Sequence, residues 1–202
     1  MIRTKFSEDD CIDYMKKKYG SDFVCAGPVD DFQPNAYSLN IYVTTPELPG
    51  RNIFVVEEDT GESLRFRDNY PAVRYEDEVR SLVTELSQKV YGRCKVFYNR
   101  LLRRVIADEP KSFGEYISLE KSLIHFSVLL PSEAAGNDKD AKAKELAAEL
   151  CRKGMVCSFS VYYSGLYEKL SSSGEFPNTQ DWYSACGNIS TDGSSIKSAE
   201  WR

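Results

Sequence analysis

Residues 68–98, DNYPAVRYEDEVRSLVTELSQKVYGRCKVFY, decide the fold class. Within them Val79, Leu82, Val83, Leu86 and Val90 recur every three or four residues, which lines one face of an α-helix with apolar side chains that a sheet or a second helix must cover. Pro71 bars helix upstream, Glu76, Asp77 and Glu78 place negative charge in the first turn, and Gly92 supplies a left-handed stop. The period then changes from 3.6 to 2, because Cys94, Val96 and Tyr98 alternate with Lys95 and Phe97 as in a strand. A helix that stops and turns directly into a strand marks a mixed protein.

Working outward toward the N-terminus, Ser7 before Glu8, Asp9 and Asp10 predicts a capped helix over 8–19 with Ile12, Met15 and Tyr19 on its apolar face and Gly20 as its stop. Phe23 to Ala26 reads as a short strand broken at Gly27-Pro28, and Asp30 to Asn35 as a loop that Phe32 anchors. Tyr37, Leu39, Ile41 and Val43 alternate with polar neighbours, and Asn52–Glu57 and Glu62–Arg67 flank the turn residues Glu58-Asp59-Thr60-Gly61. These three runs predict an antiparallel meander, with the 76–91 helix across one of its faces.

Toward the C-terminus, the stretch from Leu101 to Tyr116 is irregular, with a strand expected at Val105-Ile106 and a single helical turn at Ser112–Ile117. Ile124, Phe126, Val128 and Leu130 alternate up to Pro131. Asn137 or Asp138 begins a helix striped by Ala143, Leu146, Ala147 and Leu150, and Cys157, Phe159, Val161 and Tyr163 form the apolar side of the next strand. That succession predicts a β-α-β unit whose two strands run parallel. From Gly165 onward Ser, Gly, Asn and Thr dominate, and Trp182, Tyr183 and Trp201 read as aromatic anchors of a tail.

Composition sets limits on function. With 202 residues, 42% hydrophobic and 28% charged, the chain reads as a soluble globular protein, and no apolar run approaches the roughly 20 residues of a membrane span. A net charge of −5 argues against nucleic acid or anionic lipid as a partner, although Arg93, Lys95, Arg100, Arg103 and Arg104 concentrate basic charge locally. The six cysteines, at 11, 25, 94, 151, 157 and 186, form no C-x-x-C or metal doublet, so reduced thiols in apolar surroundings are expected, and with them a cytoplasmic location. No Walker loop, dinucleotide fingerprint or calcium loop is present, so no metal and no cofactor is expected.

Two sets of residues carry functional chemistry. Asp68-Asn69-Tyr70-Pro71 has the composition of a tight turn; read functionally, Asp68, Asn69 and Tyr70 join Arg65 and Arg67 in a polar and aromatic recognition edge, because arginine and aromatic side chains anchor interfaces. The single histidine, His125, supplies a Cys/His nucleophile pair if it meets Cys157 across neighbouring strands. Tyr163-Ser164-Gly165 is only a fragment of a serine-hydrolase elbow, and the acidic clusters have local explanations as caps, loop and turn.

The order KKKYGSDF, an alternating strand, DNYPAVRYEDEV, VYGRCKVFY, SFGEYI and KGMVCSFSVYY resembles a set of uncharacterised small proteins of Gram-positive bacteria that share Y-G-x-x-F and D-N-Y elements over about residues 12–163. The resemblance brings no catalytic residues. Many of those proteins look anchored to a membrane ahead of the first helix, which implies an extracytoplasmic location here if an N-terminal anchor was removed.

Together these readings predict an α+β protein: an antiparallel sheet of about five to seven strands with helices mainly on one face, plus a C-terminal β-α-β unit. Residues 1–165 are expected as one domain, with sub-lobes at 1–100 and 101–165, and residues 166–202 as a tail. The expected function is a non-enzymatic binding or accessory module acting on a protein partner through a sheet edge or face. The alternative is a hydrolase using carboxylates or the Cys157/His125 pair in a cleft between the lobes.

Overall fold

The computed structural model describes residues 7–28, 40–59, 64–98, 105, 109–119, 124–171 and 185–201. The fold is α+β. Among the described residues its strands divide between two sheets, of four and five strands, in place of one sheet of five to seven. The chain forms two compact units, Met1–Arg74 with Leu101–Pro110, and Tyr75–Arg100 with Lys111–Arg202. The expected loop at 30–35 with Phe32, the turn residues Thr60 and Gly61, the basic residues 100–104, Ile106, Trp182 and Tyr183 lie outside the described residues.

In the first unit, α1 (Glu8–Tyr19) starts on a reciprocal cap, in which Ser7 accepts from the Asp10 amide and the Asp10 carboxylate accepts from the Ser7 amide. Strands β1 (Val24–Pro28), β2 (Asn40–Thr44), β3 (Ile53–Asp59) and β4 (Leu64–Asp68) pair antiparallel in that order. β1 continues through Gly27-Pro28, where a break was expected, by way of a bulge between Cys25 and Gly27. Register places Ile41 against Val55 and Val43 against Ile53, so four β-branched side chains share one face. Cys11 and Met15 of α1 pack into that core with Phe23, Tyr70 and Val73. Pro71 does not exclude helix: it sits in the first turn of the short α2 (Tyr70–Arg74), where its missing N–H has no helical partner to lose.

The helix read from the opening stretch is α3 (Glu76–Tyr91), with Val79, Val83 and Leu86 buried and Leu82 only half-buried. It belongs to the second unit, where it packs on β5 (Lys95–Tyr98) and on α5 (Lys139–Arg152), whereas the meander it was expected to cover belongs to the first. Lys89 of α3 reaches Glu149 of α5 at 2.5 Å, and Arg152 meets the same carboxylate at 2.9 Å. A short α4 (Phe113–Ser118) stacks Tyr116 on Tyr75, with ring centroids 5.4 Å apart.

The second sheet runs β5, β6 (Ile124–Pro131), β7 (Val156–Ser164), β8 (Ala185–Asp192), β9 (Ile196–Trp201). Its β6-α5-β7 segment is the expected β-α-β unit, with β6 and β7 parallel and every other pair antiparallel. β8 and β9 come from the stretch expected to be a tail: Ile189 and Thr191 are buried against β7, while Asn188 and Ser198 are exposed. Their low hydrophobicity hid a hairpin whose outward face needs none.

Candidate functional site

The D-N-Y residues form a buried junction. Asp68 is fully buried and accepts from the Tyr14 hydroxyl at 2.7 Å, the Tyr19 hydroxyl at 2.7 Å, Lys18 Nζ at 2.8 Å and the Tyr70 amide at 2.9 Å. Burial, and after it the charge on Asp68, pushes both phenols above their usual range. Asn69 extends the β3 ladder, its amide donating to the Phe54 carbonyl at 3.0 Å and its side-chain oxygen accepting from the Phe54 amide at 2.7 Å. Tyr70 lies under Tyr19, with centroids 4.3 Å apart, and edge-on to Phe23 at 5.7 Å, and its hydroxyl donates to Glu47 at 3.1 Å.

Tyr19 and Phe23 of the Y-G-x-x-F element therefore meet Asp68 and Tyr70 of the D-N-Y element. Both motifs build one interlock between α1 and the end of β4. Of the five residues read as a recognition edge, Arg65 is exposed and Arg67 half-buried on β4, while Asp68, Asn69 and Tyr70 are interior and present no surface.

The Cys157/His125 pairing is excluded by register. Ile124 opposes Cys157 and His125 opposes Ser158, so thiol and imidazole project from opposite faces of the sheet. Cys157 is buried beside Thr191, whose hydroxyl lies 3.4 Å from the sulfur, and burial pushes the thiol up to about 12. Cys11 is also buried, whereas Cys25, Cys94 and Cys151 are half-buried, and all five are unpaired.

The face that carries His125 is the polar side of the second sheet. Pairing aligns His125, Ser158, Ser190 and Ser198 in one row across β6 to β9, and Ser127, Ser160, Asn188 and Glu200 in the next. Neighbours in these rows bond: His125 Nδ1 and Ser158 Oγ at 2.7 Å, Ser160 Oγ donating to Asn188 Oδ1 at 2.6 Å, and Ser190 and Ser198 hydroxyls at 2.8 Å. Burial lowers the His125 pKa from 6.5, and a hydrogen bond to the Ser158 main chain opposes that shift only partly, so the ring is neutral at neutral pH. Toward one end of this face Tyr167 packs with Phe97 and Leu129, and Tyr162 and Leu170 pack against that cluster. Lys95 Nζ fixes the turn that carries Tyr167 by donating to the Tyr167 carbonyl and, at 2.7 Å, to that of Leu170.

Sequence reasoning missed this face, although the signal was present. Ser158, Ser160, Tyr162 and Ser164 alternate with the apolar set of β7, and a parallel partner starting at Ile124 brings His125 beside Ser158. Among the described residues no helix is long and apolar enough to cross a membrane, and no group of three or more His, Cys, Asp or Glu side chains has a metal-binding arrangement.

No protein-family model matches the chain, and no curated protein matches it. Among solved structures it is similar to the crystal structure of a DUF5037 family protein from Ruminococcus gnavus ATCC 29149. The two share 12% sequence identity and a TM-score of 0.41 over 93% of this chain and 92% of that one.

Proposed function

We propose that the protein is a binding module that engages its ligand through the polar face of the second sheet. The observation that carries this reading is the pair of adjacent cross-strand rows, His125-Ser158-Ser190-Ser198 and Ser127-Ser160-Asn188-Glu200. Ser127 and Ser160 are buried, and the remaining members, His125, Ser158, Asn188, Ser190, Ser198 and Glu200, offer hydroxyl, amide, carboxylate and imidazole groups at the fixed spacing of a sheet, roughly 4.8 Å from strand to strand. Groups already held by one another lose little rotamer freedom when a ligand takes up their remaining donors and acceptors. Within the same chain Asp68, Asn69 and Tyr70 are buried, so they present no surface to a ligand.

The test compares wild-type protein with an Asn188→Arg, Ser198→Arg double variant as immobilised baits for extract of the source organism. Both positions are exposed, so the arginine side chains project into solvent, and urea unfolding of the variant checks that loss of the Ser160–Asn188 bond leaves it folded. A species retained by wild type and lost from the variant is the expected result. Equal retention by both baits would move the site off this face, and retention by neither removes the binding reading.

A further inference from the structure

We infer that Ser158 is a nucleophilic serine, activated by His125, that accepts acyl groups from carboxylic esters. The inference does not depend on the binding reading, because it concerns the reactivity of one hydroxyl.

The single histidine of the chain stands with Nδ1 2.7 Å from Ser158 Oγ, within the range in which a base takes the proton of a nucleophile. Parallel register holds the two on neighbouring strands of one sheet, so the pair is fixed by backbone and not by a loop. Both side chains are half-buried, open enough to meet a small reagent and dry enough to keep the ring uncharged. Ser160 donates to the Asn188 amide oxygen, and Ser190 and Ser198 bond to each other.

With the proton of the ring on Nε2, Nδ1 accepts from Ser158 Oγ–H. Oγ then attacks the ester carbonyl carbon, and its proton passes to Nδ1. The carbon–oxygen bond to the alcohol breaks, that proton leaves with the alcohol, and the acyl group remains on Oγ as an ester of Ser158. Attack by water on that ester, with His125 again taking the proton, returns Ser158 and releases the carboxylic acid.

A fluorophosphonate tests the step, since it forms an Oγ–phosphorus bond while fluoride leaves with the proton as hydrogen fluoride. Full-length protein is incubated with it and the adduct mapped by peptide mass spectrometry. The expected result is modification at Ser158, slowed about a hundredfold in His125→Gln and unchanged in Ser81→Ala, on the exposed side of α3. In wild type the rate should rise as the ring loses its proton and level off above about pH 6.5. Absence of an adduct at Ser158, an equal rate in a folded His125→Gln, or a wild-type rate that does not follow deprotonation of the imidazole as recorded by NMR over the same pH series overturns the inference. The last measurement needs no variant, so it decides the matter even if His125→Gln fails to fold.

Discussion

Tyr19 on α1 and Asp68 at the end of β4 are joined by a 2.7 Å hydrogen bond, although 49 residues separate them in sequence. The carboxylate at that junction is fully buried and its cation, Lys18, is only 12% exposed, so solvent screens the pair weakly. Removing one partner of such a pair strands the other charge out of water. Asp68→Ala is therefore expected to destabilise the protein by about 3–5 kcal/mol in urea unfolding, and Tyr19→Phe by about 1–2 kcal/mol. A near-zero loss for Asp68→Ala would show that the junction does not hold the first unit together.

The α3 helix makes a graded prediction. Leu86 is buried and Leu82 half-buried, so Leu86→Ala should cost about 2–5 kcal/mol and Leu82→Ala distinctly less. Equal losses in denaturant titrations would contradict the helix rotation described above.

His125 makes a prediction about pH. Its folded pKa lies below 6.5, so the unfolded chain takes up the proton first as pH falls. The group's contribution to stability is present above pH 6.5 and is lost between that value and the lower folded midpoint. An NMR titration of the one imidazole should give a midpoint below 6.5; a midpoint at or above it would contradict the burial of the ring.

Gly193, in the turn between β8 and β9, has φ of +84°, and a Cβ there would lie 2.8 Å from the Gly154 carbonyl oxygen. Left-handed backbone alone costs a substituted residue about 1–2 kcal/mol, and the clash with main chain adds to it. Gly193→Ala should lower the melting temperature, whereas Gly165→Ala, with open space around its Cβ, should not.

Thiol labelling should divide the cysteines by exposure. Cys11 and Cys157 are buried, and burial pushes both thiols up to about 12, so they should resist a thiol reagent in native protein while Cys25 and Cys151 react. Fast modification of Cys157 would be incompatible with its place under Thr191.

Where the hydrophobic period was strong, the chain could be read directly. The Ser7 cap and the Gly20 stop locate α1, the stripe from Val79 to Leu86 locates α3, and Ile124 to Tyr163 yields the parallel β-α-β unit. Three features escaped because they depend on partners distant in sequence. The division into two sheets is set by which strands pair, and a period-2 pattern does not say with whom a strand pairs. Asp68-Asn69-Tyr70 looks like a surface turn because its composition is polar, yet α1 delivers two phenols and an ammonium that make the site interior. Ser158 stands out in the sequence only as one polar member of an alternating strand, and β6 register is what gives it a histidine neighbour.

The strand order of the second sheet also sets a timetable for the newly made chain. β7, near its centre, meets β6 as soon as it leaves the ribosome, because β6 and α5 precede it. Its other neighbour, β8, begins at Ala185, and β9 ends at Trp201. Until those residues emerge, Val156–Ser164 is an open edge, rich in Phe, Val and Tyr, of the kind that captures other chains. Synthesis of the stretch that looks most dispensable is thus the step that closes the sheet, and a nascent chain halted before Ala185 is the form in greatest need of a chaperone.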